Sequence, residues 1–294
     1  MIRSGPMMRI VIVATLLGLA SACGPGRTAA ATQPTPKAFD PSKSDAKSVE
    51  VVDALQAAIG SARWATVKQI QWEERTIAGE ELKAWVKHSW DIWNGRHRCE
   101  AADMTTYQKP TADKPDPDPP AFTVAMYDLF DVDSGSGYAN NQNGELSADD
   151  RRKLKKICFE VWKQHSYQLA MFHKLKDPGV SLAYQGQIKD LNVEGIGVLC
   201  KEGCDTVKVT FAPEVGADTW WVHVNSASKL PEVVENQPAG KSGRIGFLVS
   251  NWADVGGLKF PGELRDAATK SVVFKVSGIR IGDPDAKLYV PQVR

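Results

Sequence analysis

An excess of charge of one sign, a second long apolar run and any familiar catalytic motif are all missing from this sequence. Lys and Arg number 36 against 35 Asp and Glu. A chain so balanced has no basic footprint for nucleic acid and no polybasic patch for an anionic membrane surface. Beyond the N-terminus no apolar stretch approaches 18 residues, which argues against a second helical membrane span. The patterns H-E-x-x-H, G-x-S-x-G and Walker A do not occur. Gly195-x-Gly197-x-x-Cys200 begins like a dinucleotide fingerprint but lacks its third glycine and a following helix. The run from Asp131 to Gly137 begins like a calcium loop, yet Ser136 and Gln142 stand where Gly and Glu are needed. Histidine is scarce, and no two of the five fall at metal-ligand spacing on one helix. The expectation is therefore no catalytic residue, no metal and no cofactor.

What is present begins at the N-terminus. Arg3 and Arg9 precede an apolar run, Ile10 to Ala20, of signal-peptide length and too short to span a bilayer. Ala20-Ser21-Ala22 then leads into Cys23. Small residues directly before a cysteine resemble a lipobox, at which diacylglycerol is joined to the thiol before cleavage, although Ala20 stands where Leu is usual. The same residues also read as an ordinary A-x-A cleavage site, which would release a soluble protein. Two features favour the anchored reading. Residues 23–44 are poor in hydrophobics and rich in Pro, Ala, Thr and Ser, the composition of a tether reaching on the order of 25 Å. Setting Cys23 aside also leaves Cys99, Cys158, Cys200 and Cys204, an even set for an oxidising compartment. Gly24 follows Cys23 where Asp would be the inner-membrane signal of enterobacterial lipoproteins. The expected division is a signal peptide at 1–22, a lipid-anchored tether at 23–44 and a β-rich domain at 45–294. The expected location is the cell envelope, on the periplasmic side of the outer membrane.

Within the domain, residues 45–59 have helical spacing ended by Gly60, and residues 67–77 and 82–94 have strand character. Asn94-Gly95 predicts a two-residue type I′ hairpin, placing Trp93 opposite Arg96, Asp91 opposite Arg98 and Trp90 opposite Cys99. One face of that hairpin then carries Val86, His88, Trp90, Ile92, His97 and Cys99, and the other a charged outer surface. Residues 108–120 hold five prolines and predict an exposed loop; residues 121–132 read as a strand. Ser147 to Asp150 resembles a capping box that opens a helix over 148–170, with Leu154, Ile157, Val161, His165, Leu169 and Phe172 on one stripe. Strands are expected at 180–187, 190–199, 204–212, 219–225, 230–237, 243–251, 255–260 and 271–281, joined by short, antiparallel connections. Cys200 and Cys204 flank a three-residue tip and can reach disulfide distance; Cys99 with Cys158 follows from parity but not from geometry.

This order of elements resembles the lipoprotein-sorting (LolA/LolB-like) superfamily over about residues 45–282. The segments His88-Ser-Trp-Asp-Ile-Trp-Asn-Gly-Arg96 and Lys174-Leu-Lys-Asp-Pro-Gly-Val180 resemble uncharacterised envelope proteins with that domain. The resemblance implies an α+β, mostly β fold: a curved, incomplete antiparallel β-barrel of about 11 strands, with helices covering a concave apolar face that holds acyl chains. The apolar strand positions agree. Ile70, Trp72, Val86, Trp90, Ile92, Leu154, Ile157, Val161, Leu169, Phe172, Trp220, Val222, Phe247 and Phe274 are the candidates to line such a cleft. The expected partners are a lipid or acylated molecule, the membrane through the N-terminal lipid, and an envelope protein. The alternative is a non-enzymatic assembly lipoprotein with a filled core that acts through its surface.

Overall fold

The computed structural model describes residues 38–78, 81–102, 122–129, 137–141, 145–193, 195–213 and 215–290. The segments expected to be a signal peptide and, for the most part, a tether, together with Cys23, the 108–120 stretch and the calcium-loop-like run at 131–136, lie outside the described residues.

The chain opens with helix α1 (Ala46–Ala58), followed by strands β1 (Gln69–Ala78), β2 (Glu81–Asp91), β3 (Arg96–Ala101), β4 (Phe122–Met126) and β5 (Gly137–Asn141). The long helix α2 (Ala148–Ala170) comes next. After it run β6 (Val180–Ile188), β7 (Leu191–Val193), β8 (Gly197–Leu199), β9 (Cys204–Phe211), β10 (Thr219–Asn225) and β11 (Pro231–Gln237). The last strands are β12 (Ile245–Ser250), β13 (Ala253–Val255), β14 (Leu258–Phe260), β15 (Glu263–Asp266) and β16 (Val272–Gly282). Twelve of them form one sheet in the order β5-β4-β3-β2-β1-β16-β15-β12-β11-β10-β9-β6. The sheet is antiparallel throughout, curved and open, with β5 and β6 as its edges.

Both helices are capped as their sequences dictate. The Asp45 carboxylate accepts from the Ser48 backbone N–H at 2.8 Å, and the Ser147 hydroxyl accepts from that of Asp150 at 3.1 Å. Helix α1 buries Val51, Val52 and Leu55 over β6 and β9. Helix α2 lies over β3, β4 and β5 and is bolted to β3 by the Cys99–Cys158 disulfide, whose Cα atoms are 6.7 Å apart. The second disulfide, Cys200–Cys204, closes the predicted tip with Cα atoms 5.1 Å apart. A single large core joins α1, the C-terminal end of α2 and most strands, and a smaller cluster fills the space between β2–β5 and the N-terminal part of α2.

Several expectations need correction. Asn94-Gly95 is not a two-residue turn. Asp91 pairs with Arg96, so the loop is the four residues 92–95. The Asp91 carboxylate accepts from the Asn94 backbone and side-chain amides at 3.1 and 3.0 Å and from Arg96 Nε at 2.9 Å, and this local network holds the wider turn. His97 therefore opposes Trp90, and Cys99 opposes His88. The register moves by two residues, so every side chain keeps its expected face. The outer face of this hairpin is also partly covered. The Arg98 guanidinium donates to the Leu288 carbonyl at 2.8 Å, and the Tyr289 hydroxyl donates to that of Ser89 at 3.2 Å. The main sheet, of twelve strands, has the expected mostly β, curved and open antiparallel form. The expected strands at 190–199 and 255–260 are each a small hairpin, β7–β8 and β13–β14, off the main sheet; Gly195, Gly256 and Gly257 take the left-handed conformation at their turns. Strands β5 and β15 had no clear signal: β5 reads Gly-Tyr-Ala-Asn-Asn and β15 has four residues.

Candidate functional site

Strand β1 runs through the centre of the sheet, and its even positions Ile70, Trp72, Glu74 and Thr76 face the concave side. Glu74 is the exception among these apolar neighbours, yet it is 2% exposed. Opposite β1 on β2, His88 pairs with Trp72, and their rings stack at 4.3 Å. One strand further, His97 lies beside His88 on the same face. Cys158 is tied to β3, and His165 follows it by two helical turns, which brings His165 down onto the same spot.

The four side chains form one buried line. His165 Nε2 meets Glu74 Oε1 at 3.0 Å, His165 Nδ1 meets His88 Nε2 at 2.9 Å, and His88 Nδ1 meets His97 Nε2 at 3.0 Å. One proton assignment satisfies every contact: each Nε2–H donates to the next acceptor toward Glu74. His97 Nδ1 is left as a buried acceptor with no partner. Burial pushes the Glu74 carboxyl upward, opposed by His165 and, more weakly, by the nearby Trp72 indole. Burial, then His165 and His97, hold His88 well below the ordinary imidazole value. Burial and then His165 bring His97 down to about 3. Glu74, His88 and His165 each place a ligand atom within 4.8 Å of the others, a donor set that suits zinc-class ions. Their ring nitrogens, however, are aimed at one another in pairs, which is the geometry of a relay and not of convergence on one ion.

Beside this line the concave face opens into a cleft of about 330 Å³. Strands β1, β10, β11, β12, β15 and β16 supply Glu74 and Thr76, Trp220, Asn236, Phe247, Leu264 and Phe274 to its wall. Helix α2 and the turn after it supply Gln164, Gln168 and Met171. The volume sits at the low end of the roughly 300–1,000 Å³ typical of small-molecule sites.

The residues proposed from the sequence to line a cleft are distributed over three environments. Trp220, Phe247 and Phe274 line the cleft. Ile70, Trp72, Leu169, Phe172 and Val222 are packed in the closed main core, with Ile92 partly buried against it. Val86, Leu154 and Val161 belong to the smaller cluster, Trp90 bridges both, and Ile157 is half-buried on α2. Sequence reasoning missed Glu74, Gln168, Asn236 and Leu264. The available signal was a carboxylate on the apolar face of a central strand, and an Asn at the matching position of β11.

Comparison with solved structures finds only distant likenesses. The chain is similar to the crystal structure of LolA superfamily protein NE2245 from Nitrosomonas europaea, with 11% identity, a TM-score of 0.42, and coverage of 81% of this chain and 97% of that one. It is also similar to a DUF1329 family protein from Desulfovibrio piger ATCC 29098, at 12% identity and a TM-score of 0.36, over 81% of this chain and 96% of that one. At these scores neither likeness carries an argument about this chain. No family profile matches the chain, and no curated protein matches it. Among the described residues, no helix is long and apolar enough to cross a membrane.

Proposed function

We propose that this chain is a non-enzymatic, exported envelope protein, anchored through lipid on Cys23, that holds the apolar chain of a lipid or acylated molecule in the cleft between α2 and the sheet. The observation that supports this is the cleft itself: Trp220, Phe247, Leu264, Phe274 and Met171 give it a largely apolar wall beside an otherwise filled core. Vacant apolar volume is what an acyl chain needs, since burying each methylene is worth about 0.8 kcal/mol.

The test is a titration of the mature domain with a fluorescent sixteen-carbon probe. Saturable binding is expected, and Thr76→Trp should weaken it by at least about tenfold by filling the rim of the cleft. Thr76 is half-buried and faces the opening, so the variant should keep its far-ultraviolet circular dichroism and melting temperature. Unsaturable binding, or equal binding by both proteins, would refute the proposal.

A further inference from the structure

The strand register places the entry of the chain into the fold beside the mouth of the cleft. The cleft runs inward from exposed Ala78 and Thr269 to buried Glu74, Leu264 and Phe274. Ala78 is the last residue of β1, and Thr269 lies in the turn between β15 and β16, so the cleft opens at that end of the sheet. On its other wall Trp220, the second residue of β10, pairs with Asn236, the last but one of β11. The same row continues from Trp220 to Val209 on β9, and from Val209 to Leu182 on β6.

Leu182 is where the chain joins the sheet. The Asp45 backbone N–H donates to the Leu182 carbonyl at 3.3 Å, the Leu182 N–H donates to the Ser44 hydroxyl at 2.9 Å, and the Tyr184 N–H donates to the Asp45 carboxylate at 2.6 Å. Phe39 lies under the Lys176 ammonium, 5.5 Å away, just before β6. Neighbouring strands are about 4.8 Å apart, so this entry lies about 10 Å along the sheet from Trp220 and about 14 Å from Asn236. The other end of the chain leaves elsewhere. The Tyr289 hydroxyl donates to the Ser89 carbonyl, and Ser89 pairs with Gln71, well back along β1 from Thr76 and on the outer face.

Residues 23–37 separate Cys23 from the first described residue. A chain of that length and composition spans about 20 Å end to end. A lipid on Cys23 therefore holds the Val180 end of β6, and the cleft mouth with it, close to the membrane surface. The aqueous route to the cleft would instead expose every methylene of an acyl chain to water. Resting on the reading of this chain as a Cys23-anchored protein with an acyl-chain cleft, we infer that the cleft exchanges its amphiphile directly with the bilayer that carries the anchor. The partner at the mouth is the membrane surface, and the anchor sets the rate of exchange as well as the location.

The experiment couples the mature protein to phosphatidylcholine vesicles in two ways. One uses the Cys23 thiol, the other four cysteines being held in disulfides. The other uses a Cys23→Ser protein with a cysteine appended after Arg294 on a flexible linker of equal length. The vesicles carry the fluorescent sixteen-carbon probe, and energy transfer from tryptophan reports its arrival in the cleft. Coupling through Cys23 should give transfer at least about fivefold faster than coupling beyond Arg294, and Thr76→Trp should remove that difference. Equal rates from the two attachments, or a fast phase that survives in folded Thr76→Trp, overturn the inference; saturable binding of the probe in solution then leaves the acyl-chain reading standing. No binding in solution overturns both.

Discussion

Three of the chain's five histidines lie in one buried line that ends on Glu74. Keeping an imidazole neutral by burial has a consequence for stability. The unfolded chain binds the proton more readily than the folded one, so acid favours unfolding between the ordinary value and the depressed one. For His97 that window runs from 6.5 down to about 3, and for His173, lowered mainly by burial, down to about 4. His88 and His223 are shifted in the same direction, both chiefly by burial. Glu74 acts oppositely, since its raised carboxyl loses stability as pH rises, but it is one group against four. Each histidine held neutral costs about 1.4 kcal/mol per pH unit below its unfolded value. Urea midpoints should therefore fall clearly between pH 7 and pH 5, and His97→Phe should flatten that slope whatever it does to the absolute midpoint. A midpoint independent of pH over that range would contradict burial of His88, His97, His173 and His223 in their neutral form. The sequence placed His88 and His97 on one face and His165 on the inward stripe of α2. It gave no means of bringing the helix to the strand, because that depends on the Cys99–Cys158 bridge, which parity suggested and spacing could not establish.

At the level of elements, the two disulfides are expected to contribute unequally. Cys99–Cys158 spans 59 positions and Cys200–Cys204 spans four. By the chain-entropy relation the first stabilises by roughly 4 kcal/mol and the second by roughly 2 kcal/mol. Replacing each pair with serine and measuring denaturation should reproduce that order; the reverse order would show that α2 docks without its bolt. The end of α1 offers a second check. Gly60 has φ +74°, and a Cβ there would lie 1.9 Å from the Gly257 carbonyl oxygen, against the β13–β14 hairpin. Gly186 on β6 has φ +94° with open space around it. Thermal unfolding should show Gly60→Ala losing more than about 3 kcal/mol and Gly186→Ala only about 1 kcal/mol; similar losses at both would mean that the hairpin does not pack on α1. Elements were the most legible scale. Long periodic segments such as α2 and β10 declare themselves through apolar spacing, and Asp45 and Ser147 mark where helices begin. The 92–95 loop escaped because the Asp91 side chain outcompetes the intrinsic preference of Asn94-Gly95, a contact that no dipeptide rule contains.

For the whole molecule, the apolar positions on successive strands pointed to one large apolar sheet face with antiparallel neighbours, while the curved, open form with helices on its inner face was what the family resemblance implied. Neither was enough to say where that face is filled. Ile70, Trp72 and Phe172 have the same sequence character as Trp220, Phe247 and Phe274, and all six are buried in one core, yet only the second three also border the cleft. The difference lies in how far α1 and α2 reach across twelve strands, a property of three-dimensional packing with no one-dimensional signature. The most direct measurement is mass spectrometry of organic extracts from the mature domain, purified without detergent from the envelope of a bacterial host. An amphiphile near one per protein is predicted for the natural sequence, and a much smaller amount for Thr76→Trp. No co-purifying lipid, or the same amount from both proteins, would contradict the account.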